Sequence, residues 1–97
     1  MSQKPTHSPL SVADIETRLP QAPGWAYTDG SLTKTYKRPS FADAIAFIVQ
    51  IGFLSEKLNH HATITNTYTQ VTLTIHTHEV GGVTPLDFEW VQGVEAL

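Results

Sequence analysis

Apolar residues recur at intervals of three or four positions in three segments of the chain, which is the spacing of one face of an α-helix. The first segment begins at Ser11, a capping residue, and ends at Pro20. The last has a cap at Thr84, a proline at the first helical position and an acid at Asp87, and it continues to about Glu95. These patterns predict a short first helix and a final helix.

The middle segment predicts the longest helix, which begins after the capping pair Ser40 and Asp43. Its apolar face is assigned to Phe41, Ala44, Ile45, Ile48, Ile51, Leu54 and Leu58. Phe47 and Phe53 widen this apolar surface beyond one stripe. We therefore expect the helix to be covered on two sides, by its own sheet and by a partner chain.

Four further segments have the composition of β-strands. Residues 25–28 and 32–37 flank Asp29-Gly30, a dipeptide typical of hairpin turns. Residues 62–68 are rich in Thr and Ile, and residues 70–77 alternate between apolar and polar side chains. The order of elements is α-β-β-α-β-β-α, which predicts an α+β fold with helices packed on one face of a four-stranded antiparallel sheet.

Size and composition limit the range of functions. The 97 residues predict a single domain over residues 11–97, preceded by a flexible N-terminal arm over residues 1–10. A formal net charge of -3 without a run of Lys or Arg disfavours direct binding to nucleic acid. The chain has no cysteine, which excludes disulfides and thiolate nucleophiles. Without a secretory signal or a membrane-spanning stretch, a cytoplasmic protein is expected.

Histidines are concentrated in one part of the chain. His60 and His61 are adjacent where the long helix is predicted to end. His76 and His78 are separated by one residue, so on an unbroken strand their side chains share a face. The two pairs therefore converge on one cleft if the helix end and the strand are neighbours.

Three interpretations of this cluster are open. Histidines suit a helix C-terminus and a solvated sheet face without any function. Imidazoles at a spacing of two can ligate zinc or copper, although no thiol or carboxylate completes a familiar ligand spacing. Acid/base catalysis is the third, because imidazole, with a pKa near about 6.5, both donates and accepts protons at neutral pH. The chain lacks a G-x-S-x-G elbow and a glycine-rich phosphate loop, which favours proton transfer over acyl transfer or nucleotide chemistry.

The residues around this cluster resemble the signature of the pterin-4a-carbinolamine dehydratases. The resemblance is carried by the run Glu56-Lys57-Leu58-Asn59-His60-His61, followed by Tyr68, Thr77-His78-Glu79, Gly82 and Asp87, and it spans roughly residues 11–95. His76 lies outside this signature and is expected at the surface. The resemblance implies the same α+β fold and assembly into homodimers or homotetramers. It also implies dehydration of 4a-hydroxytetrahydrobiopterin to quinonoid dihydropterin, which recycles the pterin of aromatic amino acid hydroxylases. No cofactor or metal is implied.

Carried over by position, the resemblance implies that His60, His61 and His78 are catalytic, with Asp87 as an accessory acid that orients or charges one of them. His61 and His78 are expected to be the proton-transfer pair, and His60 to position the substrate or assist as an acid. The substrate-binding residues implied are Glu56, Tyr68, Thr77 and Glu79. Two alternatives stay open, since Glu56 could only support the helix end and Asp87 also suits a capping role.

Two positions depart from the usual pattern of this family. Ala62 follows the histidine pair where the family usually has Pro, and Ile64 stands where many members have Trp. Losing an aromatic ring beside a flat pterin would remove up to about 1.5 kcal/mol of ring contact. The departures keep a second function open: a catalytically inactive binding protein, such as a RuBisCO assembly chaperone or a dimerisation cofactor of a transcription regulator. The retention of three histidines with Asp87 favours the enzyme.

Overall fold

The computed structural model describes residues 8–97 of the chain. Its helices and strands, in chain order, are α1 (Val12–Arg18), β1 (Ala26–Thr28), β2 (Ser31–Lys37), α2 (Phe41–Leu58), β3 (Thr63–Thr67), β4 (Gln70–Ile75) and α3 (Pro85–Glu95). Single turns of 3-10 helix follow α1 and β4, at Leu19–Gln21 and His78–Val80. The order of elements confirms the predicted α-β-β-α-β-β-α succession.

The four strands form one antiparallel sheet in the order β1-β2-β4-β3. The alternation of β4 separates the two faces of this sheet, because Leu73 and Ile75 are buried in the core. Thr72 lies on the opposite face, where its hydroxyl is 2.9 Å from that of Thr35 on β2. The apolar face carries the helices, which confirms the predicted α+β fold.

The apolar face predicted for α2 is wrong at its N-terminal end. Phe41 and Ile45 are exposed, whereas Phe47, which was assigned to a wider surface, is buried in the core. The buried stripe consists of Ala44, Phe47, Ile51 and Ser55. Two apolar stripes run along this helix, and periodicity alone does not tell which one faces the sheet.

Helices α2 and α3 pack closely together, which brings the C-terminal end of α2 near the N-terminal end of α3. The indole Nε1 of Trp90 on α3 donates to the hydroxyl of Ser55 on α2 at 3.0 Å. Gly93 allows a close approach, since a Cβ built there would lie 2.7 Å from Leu54 Cδ1. Ser55 is buried because it supplies the acceptor that a buried indole requires.

The arm predicted for residues 1–10 lies mostly outside the described residues and stays a prediction. Within it, Leu10 packs against the core, and its backbone N–H donates to Val83 O at 2.8 Å. Within residues 8–97, no helix combines the length and the apolar character that crossing a bilayer requires.

Candidate active site

A cleft of about 290 Å³ lies between the C-terminal end of α2 and the chain that follows β4. Its lining residues are Asn59, His60, His61, His76, His78 and Glu79. The first three come from the helix end and the last three from the other wall. The structure therefore brings both predicted histidine pairs to one cleft.

The end of α2 sends its two adjacent histidines in opposite directions. Asn59 adopts a left-handed conformation, with φ of 51°. The N–H of Asn59 donates to Glu56 O at 3.2 Å, and the N–H of His60 donates to Ser55 O at 2.9 Å. This pair of bonds is a Schellman motif, in which Asn is one of the few residues that tolerate the required conformation. After this turn His60 is buried and His61 is exposed.

The carboxylate of Asp87 is fully buried and joins three structural elements. Its Oδ1 lies 2.5 Å from His60 Nε2. Its Oδ2 accepts from the backbone N–H of Thr84 and from the Thr77 hydroxyl, each at 2.8 Å. The two roles considered for Asp87 are therefore compatible, because one oxygen completes the capping box of α3 while the other holds His60.

Thr77 acts inside the protein rather than at the surface of the cleft. Its side chain is buried, and its hydroxyl lies 2.7 Å from the hydroxyl of Thr84 as well as binding Asp87. Thr84 in turn accepts from the backbone N–H of Leu86 at 3.2 Å. These hydrogen bonds orient the Asp87 carboxylate. Thr77 itself lies behind the cleft and is not one of its lining residues.

His61 is held by an acid from the last turn of its own helix. Its Nε2 lies 2.6 Å from Glu56 Oε2, and the two side chains are 57% and 77% exposed. Exposed pairs of this kind contribute only about 0–1 kcal/mol to stability. The contact therefore matters for the orientation of the imidazole more than for the fold, and Glu56 does more than support the helix end.

The prediction of an unbroken strand that carries His76 and His78 is wrong. Strand β4 ends at Ile75, and His78 begins the 3-10 turn after Thr77 forms an isolated bridge with Gly82. Thr77 continues the inward alternation of Leu73 and Ile75, and its hydroxyl donates to Asp87. Both histidines are exposed, with ring centroids 6.1 Å apart.

Two positions noted in the sequence lie elsewhere. Tyr68 occupies the turn between β3 and β4, with φ of 52°, and is 73% exposed. It is not among the residues that line the cleft. Ile64 on β3 packs against the core, so its side chain is not part of the cleft surface either.

The sequence signature contains Asn59, but no structural role was predicted for it. His76, which was expected at the surface outside the signature, is exposed and also lines the cleft. An Asn directly after the last apolar position of a helix is a termination signal, and this signal could have identified the left-handed turn. Within residues 8–97, no three His, Asp or Glu side chains are arranged to hold a metal ion.

Comparison with known proteins identifies the family of this chain. A family profile described as pterin 4 alpha carbinolamine dehydratase matches residues 8–97. A relative from Roseiflexus sp. (strain RS-1), provisionally named a pterin-4-alpha-carbinolamine dehydratase, is 40% identical over 91% of this chain and 95% of its own length. A relative from Streptomyces avermitilis with the same provisional name is 42% identical over 92% of this chain and 89% of its own.

Two solved structures are similar in fold. A transcriptional coactivator/pterin dehydratase from Brucella melitensis superposes with a TM-score of 0.88 and 31% identity, covering 92% of this chain and 97% of that one. A pterin dehydratase-like protein identified as a RuBisCO assembly factor in the alpha-carboxysome has a TM-score of 0.62 and 22% identity, covering 74% of this chain and 83% of its own. The second likeness concerns the fold alone. The profile match and the two relatives establish that this chain belongs to the pterin-4a-carbinolamine dehydratase family.

Proposed function

We propose that the chain dehydrates 4a-hydroxytetrahydrobiopterin to quinonoid dihydropterin by histidine acid/base catalysis. The observation that carries this proposal is the cleft itself, in which His61 and His78 face the same space from opposite walls. The reaction breaks the C4a–O bond, removes the proton of N5 and forms the C4a=N5 bond, so one water leaves. It requires an acid at the 4a oxygen and a base at N5, and two imidazoles can supply both.

His61 is assigned the role of base at N5. Its Nε2 is directed at the Glu56 carboxylate, which can only accept a hydrogen bond. This partner favours the tautomer that has a proton on Nε2 and a free lone pair on Nδ1. Nδ1 is then the atom that takes the proton of N5.

His78 is assigned the role of acid at the departing hydroxyl group, from the opposite wall. It lies at the start of an exposed 3-10 turn, where protons exchange readily with solvent. His60 positions the substrate, because its own Nε2 is already engaged by Asp87. Asp87 and Thr77 act through His60, and Glu79 offers a polar contact at the rim.

Tyr68 is kept as a predicted substrate contact, although in a single chain it lies away from the cleft. Self-association is part of the proposal as well. Large apolar side chains at intervals of four along α2 are exposed, namely Phe41, Ile45, Val49 and Phe53. We expect a homodimer or homotetramer to cover them, since contiguous exposed apolar surface on a helix marks an interaction site. The product would be returned to an aromatic amino acid hydroxylase as a recycled pterin.

The test is stopped-flow dehydration of 4a-hydroxytetrahydrobiopterin generated in place by a hydroxylase. Wild-type protein should accelerate the reaction over its spontaneous rate, and the His61→Ala, His78→Ala double variant should lose that acceleration. Glu16→Ala, an exposed change on α1, serves as the control and should keep the wild-type rate. No acceleration by folded wild-type protein would overturn the proposal and leave a binding function. Full activity of the double variant would overturn the assigned roles.

A further inference from the structure

His76 lies in the cleft although it is outside the family signature. It directly follows β4 and opposes the start of β2, since the last paired residues of these strands are Leu32 and Ile75. The Ser31 hydroxyl lies 3.3 Å from His76 Nδ1. The His76 ring is therefore held at the rim of the cleft, with its centroid 6.1 Å from that of His78.

The contact with Ser31 determines which atom of His76 is available. Nδ1 is engaged by a hydroxyl group of the protein, so Nε2 is the ring nitrogen that remains for a bound molecule. Ser31 itself pairs with Thr28 at the turn between β1 and β2. The polar surface beside the cleft thus continues from His76 through the Ser31 hydroxyl toward this turn.

The chemistry of a pterin indicates what this polar surface would meet. N5 is bonded to C6, so a substituent on C6 leaves the ring beside the reacting atoms. On the pyrimidine ring, N1, N3 and the 2-amino group lie away from the reacting atoms, whereas the C4 carbonyl oxygen flanks N5 on the side opposite C6. The exposed imidazole of His76, at the rim beside His78, suits the C6 substituent. A C6 side chain that carries hydroxyl groups is itself polar and partly solvated.

We propose that His76 determines specificity for the C6 substituent, and that its Nε2 binds a hydroxyl group of that side chain. This inference rests on the proposed function for the nature of the ligand. Nothing in it requires His76 to exchange a proton with the reacting atoms. His76 is therefore expected to affect the binding of pterins that have a hydroxylated C6 side chain and to leave the rate of dehydration unchanged.

Binding is measured first, with the unreactive oxidised pterins biopterin and 6-methylpterin, by quenching of their fluorescence. Wild-type protein should prefer biopterin. His76→Thr, which continues the Thr pattern of β4, should weaken biopterin binding about three- to tenfold and leave 6-methylpterin unchanged. Ser31→Ala should weaken biopterin binding to a smaller extent. Equal losses for the two pterins, or no loss for either, would overturn the inference.

Kinetics then separate this inference from the proposed function. With 4a-hydroxytetrahydrobiopterin as the substrate, His76→Thr should raise KM by a similar factor at unchanged kcat. The 4a-hydroxy substrate that carries a 6-methyl group should show no change. A fall in kcat with either substrate would overturn the specificity role. If the wild-type protein prefers biopterin but does not catalyse dehydration, the proposed function fails and the specificity role stands. If it binds neither pterin, both fail.

Discussion

His60 and Asp87 join the C-terminal end of α2 to the first turn of α3 through a contact of 2.5 Å between Nε2 and Oδ1. The same carboxylate completes the capping box of α3 through its second oxygen. One buried side chain therefore sets the start of a helix and the direction of an imidazole. Because the two functions share one group, a change at Asp87 should affect stability and activity by separate routes.

Asp87→Asn tests this double role. The amide has only one accepting oxygen, so it cannot serve both His60 and the two donors at Oδ2. We expect a loss of about 1–3 kcal/mol in the free energy of unfolding from the unsatisfied buried groups. We also expect kcat to fall about 100-fold, because a His60 without its fixed orientation no longer holds the substrate in the productive position. Urea denaturation and stopped-flow dehydration measure the two effects.

Ser40→Ala provides the matched control for this variant. The Ser40 hydroxyl caps α2 by accepting from the backbone N–H of Asp43 at 3.1 Å, at the end of the helix remote from His60. Its loss costs about 0.5–2 kcal/mol of stability. The control should keep the wild-type kcat at a temperature where it is folded. A comparable loss of kcat in both variants would mean that instability alone explains the effect of Asp87→Asn.

Glu56→Gln tests whether the acid beside His61 selects its tautomer. Both side chains are exposed, so we expect the melting temperature to change little. A glutamine amide can donate as well as accept, which removes the preference for a proton on Nε2. The expected result is a fall in kcat of about tenfold or more, with KM little changed. An unchanged kcat would show that His61 needs no orienting partner, and Lys57→Gln is the neighbouring surface control.

Local signals predicted the elements well but not the connections between them. The capping pair Ser40 and Asp43 and the capping box at Thr84 correctly identified the starts of α2 and α3. The face of α2 was not predictable in full, because the helix has two apolar stripes and the sequence does not state which one meets the sheet. The contact between His60 and Asp87 joins residues 27 positions apart, and only tertiary packing brings them together.

The exposed stripe of α2 leads to a prediction about assembly. Phe53 is 73% exposed, and Phe53→Ser removes a large apolar group without disturbing the core. Burying such a side chain contributes about 1.5–3 kcal/mol, so the dissociation constant of the oligomer should rise at least about tenfold. Analytical ultracentrifugation over a range of concentrations measures it. Val12→Ser, which changes a 53% exposed residue of α1, should leave the assembly unchanged. Assembly that is insensitive to Phe53→Ser would place the interface elsewhere.

A cluster around Glu95, at the end of α3 away from the cleft, makes stability depend on pH. Its Oε2 accepts from Trp25 Nε1 at 3.2 Å, from Lys34 Nζ at 2.9 Å and from the Tyr36 hydroxyl. Burial alone would raise the pKa of Glu95, but the hydrogen bonds from Tyr36, Lys34 and Trp25 outweigh it and lower the pKa below 4.5. For Tyr36, burial and then the contact with Glu95 raise the pKa well above 10.0.

The two shifts define a window of maximum stability. The contribution of Glu95 is fully present above its ordinary pKa of 4.5 and is lost as the pH falls through its lower folded value. The contribution of Tyr36 is fully present below its ordinary pKa of 10.0 and is lost as the pH rises toward its higher folded value. Urea denaturation across the pH range should therefore show stability falling on both sides of this window.

Tyr36→Phe removes the hydrogen bond to Glu95 and the alkaline part of this dependence together. Within the window it should lower the free energy of unfolding by about 1–3 kcal/mol, because the acceptor is a carboxylate. The difference from wild type should shrink above the ordinary tyrosine pKa, where the wild-type contribution is lost. Tyr27→Phe is the matched control, since Tyr27 on β1 makes no side-chain hydrogen bond within residues 8–97. A difference from wild type that stays constant at alkaline pH would contradict the assignment to Tyr36.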